Sequence, residues 1–199
     1  MKKFMLTLAC TTLVGASGVA MAQAVVGKPA PAFTGTDTAG KPVSLADFKG
    51  KYVVLEWTNP ECPFVEKHYG SGNMPAVQKQ ITDKGVAWVT IQTGIKPDAR
   101  SQLQAWQKQK GAAPTATVID PDGSIGRAYQ ARTTPHMYIV DPQGTLVYAG
   151  AIDSKPTPNP ADVKTATNYV AQAVGEALAG KPISQATTPP YGCSVKYPA

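Results

Sequence analysis

Cys62 stands in the run Glu61-Cys62-Pro63-Phe64-Val65-Glu66-Lys67-His68-Tyr69, soon after the apolar stretch Val53-Val54-Leu55-Glu56-Trp57. A strand ending there and a helix beginning at Pro63 put the cysteine at the helix cap. Proline suits the first helical position, because its missing N–H has no intrahelical partner there and its φ already fits a helix. Unpaired backbone N–H groups and the partial positive charge of that helix end favour a thiolate over a thiol. Thiolate is the reactive form. The chemistry expected is therefore sulfur chemistry, with Cys62 as nucleophile.

A second cysteine follows from the leader. Met1-Lys2-Lys3, an apolar run from Phe4 to Val19, and the overlapping Ala20-Met21-Ala22 and Ala22-Gln23-Ala24 read as a secretory signal peptide over 1–24. Its removal takes Cys10 and leaves Cys62 and Cys193, and two cysteines in an oxidising compartment suggest a pair. A periplasmic or secreted location is expected, with no integral membrane anchor after cleavage, because the apolar run is short for a span. Removing Lys2 and Lys3 lowers the formal net charge of +6 by two, and no Lys/Arg cluster supports nucleic-acid binding.

Three other titratable groups invite a role. Glu56 interrupts an apolar strand, where a carboxylate is costly to bury unless paired or protonated. It is either an exposed strand end near a lysine or a proton shuttle with a raised pKa behind Cys62. His68, six residues after Cys62, falls on a different helix face, which favours a surface role or one beside Tyr69 over a Cys–His pair. His136 either flanks the cleft or is an ordinary strand histidine. Cys62, His68, Met74 and His136 lack close metal-ligand spacing, so neither metal nor cofactor is expected.

These residues need a frame. Ala32-Phe33-Thr34 and Pro42-Val43-Ser44 around Asp37-Thr38-Ala39-Gly40 read as a hairpin, with Ser44 capping a turn at 45–48. Tyr52 to Trp57 is a strand buried on both faces, as in a parallel sheet. The helix of Cys62 runs to Tyr69, and a second starts at Pro75 and ends by Gly85. A strand over Val86–Gln92, a helix over Pro97–Lys110, a strand over Thr115–Ile119 and a short helix over Gly123–Gln130 follow, giving βαβαβα. Next comes a hairpin turning at Asp141-Pro142-Gln143-Gly144, then a Pro-rich loop from Asp153 to Pro160. An apolar stripe from Val163 to Leu178 predicts a last helix ending at Gly180, followed by an irregular tail, 181–199, that carries Cys193.

An apolar strand, a cysteine opening a helix, and much later Thr134-Pro135 directly before a strand hairpin resemble the thioredoxin fold. The extra N-terminal hairpin and the inserted Thr115–Gln130 strand–helix resemble its redoxin branch, which includes TlpA-type thiol-disulfide proteins and the AhpC/TSA peroxiredoxins. The resemblance spans about Val25 to Leu178. It implies an α/β fold of three α/β/α layers over 25–180, and a cis Thr134-Pro135 bond lying against the active-site cysteine. Catalytic Cys62, Cys193, Glu56 and Pro135 follow, with Trp57, Pro63, Phe64, Thr134 and His136 bordering the substrate.

Three departures shape the functional expectation. Val65 replaces the second cysteine of C-x-x-C, so a mixed disulfide on Cys62 has no resolving thiol inside the motif, and Cys193 is the candidate. Peroxiredoxins carry P-x-x-x-T-x-x-C, whereas here Leu55 and Asn59 hold the proline and threonine places, and the catalytic arginine aligns with Pro135. Glu56, six before Cys62, matches the buried acid of thioredoxin. The expected function is a thiol-disulfide oxidoreductase acting on a protein thiol or disulfide, or on a small thiol. Thiol peroxidase, and a non-catalytic domain with a structural Cys62–Cys193 bond, are the alternatives.

Overall fold

The computed structural model describes residues 23–199. The leader expected over 1–24, including Cys10, lies almost wholly outside the described residues.

β1 (Thr34–Asp37) and β2 (Pro42–Ser44) form the N-terminal hairpin. Asp37 makes its turn: one carboxylate oxygen accepts from the N–H groups of Ala39 and Lys41, both at 2.8 Å. β3 (Val53–Trp57) leads to α1 (Pro63–Gly70) and α2 (Asn73–Thr82). β4 (Ala87–Thr93) precedes a 3₁₀ turn at Pro97–Ala99 and α3 (Arg100–Lys110). β5 (Ala116–Asp120) and α4 (Ser124–Tyr129) are the insertion, and β6 (Thr133–Thr134), β7 (His136–Val140) and β8 (Leu146–Gly150) follow. The chain ends with α5 (Tyr169–Leu178) and β9 (Cys193–Ser194).

The main sheet runs β2-β1-β5-β4-β3-β7-β8. β3 lies parallel to β4 but antiparallel to β7, so the parallel environment expected of it exists on one side only. The reason is that an unbroken apolar run reports burial on both faces, not the direction of the neighbours. All five residues of β3 are buried. Val53, Leu55 and Trp57 pack with Ile125, Ala128 and Tyr129 of α4, and Val54 packs with Val65, Ile81 and Val170 of α1, α2 and α5. Three α/β/α layers result, and alternation along β3 sets which residues reach which layer.

Two segments depart from the expected pattern. The stripe from Val163 is not one helix: residues Pro160–Lys164 form a 3₁₀ turn and α5 begins at Tyr169. Asn168 sets that start, its side chain accepting from Ala171 N at 2.8 Å. Residues 181–199 then run back over the domain. Ala149 N donates to Ala186 O, Val195 N donates to Arg132 O at 3.0 Å, and Tyr197 Oη donates to Ala131 O at 2.7 Å. Among the described residues, no helix is long and apolar enough to cross a membrane.

Candidate active site

Cys62 caps α1, with Pro63 at its first turn. The chain reaches that cap through a turn made by Asn59, whose backbone O accepts from Cys62 N at 3.0 Å and whose side chain accepts from Glu61 N at 2.9 Å. Cys62 is disulfide-bonded to Cys193, 131 positions later, with Cα atoms 5.9 Å apart. The Thr134–Pro135 bond is cis, and Thr134 O lies 3.0 Å from Cys62 Sγ. In the disulfide that sulfur carries no proton, but the reduced thiol can donate to this carbonyl.

Strand pairing assembles the site. β6 pairs antiparallel with β9, setting Thr134 opposite Cys193, so the tail occupies the edge of the cis-proline loop. Cys62 is 1% exposed beneath it, whereas Cys193 is only partly buried. Gly192 permits the approach: its φ is +135°, and a Cβ there would collide with the Thr134 carbonyl. Gly192→Ala should lift β9 from β6 and lower the effective concentration of Cys193 at Cys62 by at least about tenfold, moving the potential about 30 mV less negative. Titration of the purified variant against a glutathione buffer measures this.

The tail is fixed just before Cys193 by a buried polar cluster. Lys67, on α1 and 0% exposed, donates to Asp153 at 3.0 Å, to Lys155 O at 2.6 Å and to Tyr191 Oη at 3.3 Å. All three ammonium protons are thereby used. Tyr191 Oη donates to Asp153 and accepts from His68 Nε2 at 3.3 Å, while Asn73 donates to His68 Nδ1 at 2.8 Å. This network assigns His68 as the neutral Nε2–H tautomer. Phe64 packs on the Tyr191 ring, with centroids 5.8 Å apart. The cluster thus joins α1, the Asp153 loop and the tail two residues from Cys193.

Glu56 is fully buried, which overturns the exposed reading of it. Its carboxylate accepts from Tyr69 Oη and Trp88 Nε1, both at 2.8 Å, from Gln78 Nε2 at 3.2 Å and from Thr90 Oγ1 at 3.3 Å. Burial raises its pKa, and the four donors oppose that rise. None of these partners is a sulfur. Glu56 and Cys62 nevertheless share one sheet face, since Cys62 packs with Val54, Tyr69 and Trp88.

Both histidines are buried. His68 is not on the surface: its helix face turns to the tail, which the spacing from Cys62 alone could not reveal. His136 and Trp57 face the layer opposite Cys62. His136 Nδ1 accepts from Arg132 N at 3.3 Å and lies 3.0 Å from Tyr138 Oη, while Trp57 Nε1 donates to Thr93 Oγ1 at 3.1 Å. Around the sulfurs the structure gathers Thr134, Pro135, Pro63, Phe64 and Tyr191. Trp57 lines, with Thr134, a cleft beside them. Among the described residues, no three His, Cys, Asp or Glu side chains converge as a metal site would require.

Burial, only partly offset by Asp153, lowers His68 to about 4, and burial with help from Arg132 lowers His136 to about 3. In the unfolded chain both titrate near 6.5. As pH falls below about 6.5 the unfolded state binds more protons, so the stability these two groups contribute is present above that pH and is lost toward pH 4. The slope approaches about 2.7 kcal/mol per pH unit for two protons. Glu56 opposes this with one proton, because its raised pKa favours the folded state on acidification. Urea denaturation at pH 7 and pH 5 should show a lower midpoint at pH 5, and His68→Gln combined with His136→Gln should flatten the difference.

Lys67, Asp153 and Tyr191 carried no signal in the sequence beyond the position of Tyr191 two before Cys193. A helix lysine reads as solvent-facing, and the Lys67–Asp153 ion pair bridges 86 positions.

Known proteins resemble this chain in sequence and fold. The family model for AhpC/TSA proteins matches residues 26–149. The thiol-disulfide oxidoreductase ResA of Bacillus subtilis is 28% identical over 121 residues, a match covering 61% of this chain and 64% of that protein. The chain therefore spans just under two thirds of that relative's length. A conserved protein of Geobacillus kaustophilus superposes with a TM-score of 0.75 at 27% identity, covering 87% of this chain and 93% of that one. The thioredoxin domain of a thiol-disulfide oxidoreductase from Bacteroides vulgatus gives 0.53 at 26%, covering 63% and 87%. The fold is the thioredoxin fold.

Proposed function

The chain belongs to the AhpC/TSA family, and from that premise we propose that it is an extracytoplasmic thiol-disulfide oxidoreductase whose working unit is the Cys62–Cys193 pair. One observation carries this reading: the disulfide joins the cap of α1 to the strand paired with the cis-proline loop. Val65 stands where C-x-x-C proteins place their second sulfur, and the tail returns Cys193 to that neighbourhood. The similarity to thiol-disulfide oxidoreductases and the leader-like first 24 residues support the reading.

Burial sets the order of attack. Cys193 is the partly exposed residue and Cys62 the covered one, so a substrate thiolate attacks Cys193 first, forming a substrate–Cys193 disulfide as the Cys62–Cys193 bond breaks. Cys62 leaves as a thiolate at the α1 cap, where the helix end stabilises it. A second substrate thiolate then attacks the substrate sulfur and releases Cys193. The substrate dithiol becomes a disulfide, and the protein pair takes up two electrons and two protons. In the reverse direction Cys193 attacks the substrate disulfide and Cys62 closes the bond, the opposite of the order expected from the sequence, in which Cys62 attacks first and Cys193 resolves. Glu56 tunes the charge on that face through its hydrogen-bonded neighbours, as a positioning residue.

The test treats oxidised protein with a two-cysteine peptide, quenches in acid and maps adducts by mass spectrometry. A transient peptide adduct on Cys193, followed by a peptide disulfide and reduced protein, is expected. An adduct confined to Cys62 would reverse the order, and no exchange at all would leave the bond a structural staple. Peroxide consumption by the reduced protein at rates above those of a free thiol would favour peroxidase chemistry instead.

A further inference from the structure

A cleft of about 270 Å³ opens beside this site, between the ends of β3 and β4, helix α3 and the tail. Its walls are largely apolar, with Trp57, Ile95, Leu103, Trp106 and Val195 among the residues that line it. Thr58, two residues beyond Glu56, and Gln92, two beyond Thr90, share by alternation the sheet face on which α3 packs. Both line the cleft and are 3% and 1% exposed, yet Thr58 Oγ1 and Gln92 Nε2 have no hydrogen-bond partner among the described residues. Two buried polar groups without partners at one cavity are unusual, because each is destabilising until something pairs with it. Neither sacrifices a hydrogen bond by turning toward an arriving ligand.

The position also suits a ligand. The carboxyl ends of adjacent parallel strands form a crevice where α/β sheets commonly bind small molecules. The tail closes one side and lies tight on the strand end, since a Cβ at Gly94, φ +75°, would collide with the Lys196 carbonyl. Glu61 and Lys196, both lining the cleft, carry opposite charges and give no preference for an ionic ligand.

We propose that this cleft is a binding site for a small, mostly apolar molecule bearing a neutral carboxamide. A hydroxyl donates and accepts, and a glutamine amide does the same, so a carboxamide complements both, its carbonyl accepting from Gln92 while the apolar body fills the space against Trp106 and Leu103. Neither cysteine lines the cleft, but Thr134, whose carbonyl lies 3.0 Å from Cys62 Sγ, does, so the cleft adjoins the disulfide without containing it.

Benzamide is the probe, titrated into the oxidised protein without any thiol and followed by tryptophan fluorescence, with toluene and benzoate in parallel. Saturable benzamide binding is expected, at least about tenfold tighter than toluene and no weaker than benzoate. Thr58→Val and Gln92→Leu should each bring benzamide close to toluene while leaving toluene unchanged. Equal binding of benzamide and toluene by the natural protein would overturn the proposal, as would the absence of saturation, and these readings hold even if a variant fails to fold. A failed exchange assay would leave this result untouched, since no redox step enters it.

Discussion

Asp153→Ala should destabilise the protein by roughly 3–5 kcal/mol, the cost of leaving one partner of a buried ion pair charged and alone. Lys67 has no exposed surface, and Asp153 is its counter-ion. The same substitution removes the acceptor of Tyr191 and weakens the hold on the tail. Urea denaturation should show the loss, and a glutathione titration should show a less negative potential. Lys67→Met combined with Asp153→Leu removes both charges and should recover much of the stability without restoring the potential, because Tyr191 still lacks its acceptor. A double variant as unstable as Asp153→Ala would mean that packing, not the unpaired charge, dominates at this position.

Cys193→Ser should abolish dithiol oxidation while leaving Cys62 able to form adducts with small disulfides. It should also remove the constraint of a loop closed across 131 positions, worth about 5 kcal/mol by the chain-entropy estimate. The two effects separate when Cys193→Ser is compared with reduced natural protein. Their stabilities should agree closely, because neither contains the bond, but only the natural protein should recover turnover on reoxidation. Retained turnover in Cys193→Ser would show that Cys62 works without the tail.

The frame of the site was legible because local residues dictate it. Pro63 after Cys62 announces a helix cap, and Asp37 with Gly40 announces a hairpin turn; that the Thr134-Pro135 loop meets the cysteine is implied only by the resemblance to the thioredoxin fold. The pairing of Cys62 with Cys193 follows from having two cysteines outside the expected leader. Glu56 was ambiguous for a physical reason: a strand's alternation sets which residues share a face, not which face is covered. The buried Lys67, His68, Asp153 and Tyr191 cluster was illegible. Its contacts join α1 to residues 86 to 124 positions away, and such charged and polar types ordinarily face solvent. The start of α5 at Tyr169 is not legible, because an apolar stripe does not mark where a cap such as Asn168 interrupts it.

The central claim is that the Cys62–Cys193 bond exchanges. Its most direct test is a redox titration of the purified protein against glutathione and dithiothreitol, with each point trapped in acid and counted by mass spectrometry. The account predicts a reversible two-electron transition above about −300 mV, the range in which thiol-disulfide exchange proteins operate. A bond that stays closed in glutathione and opens only below that range would contradict it and make the disulfide structural.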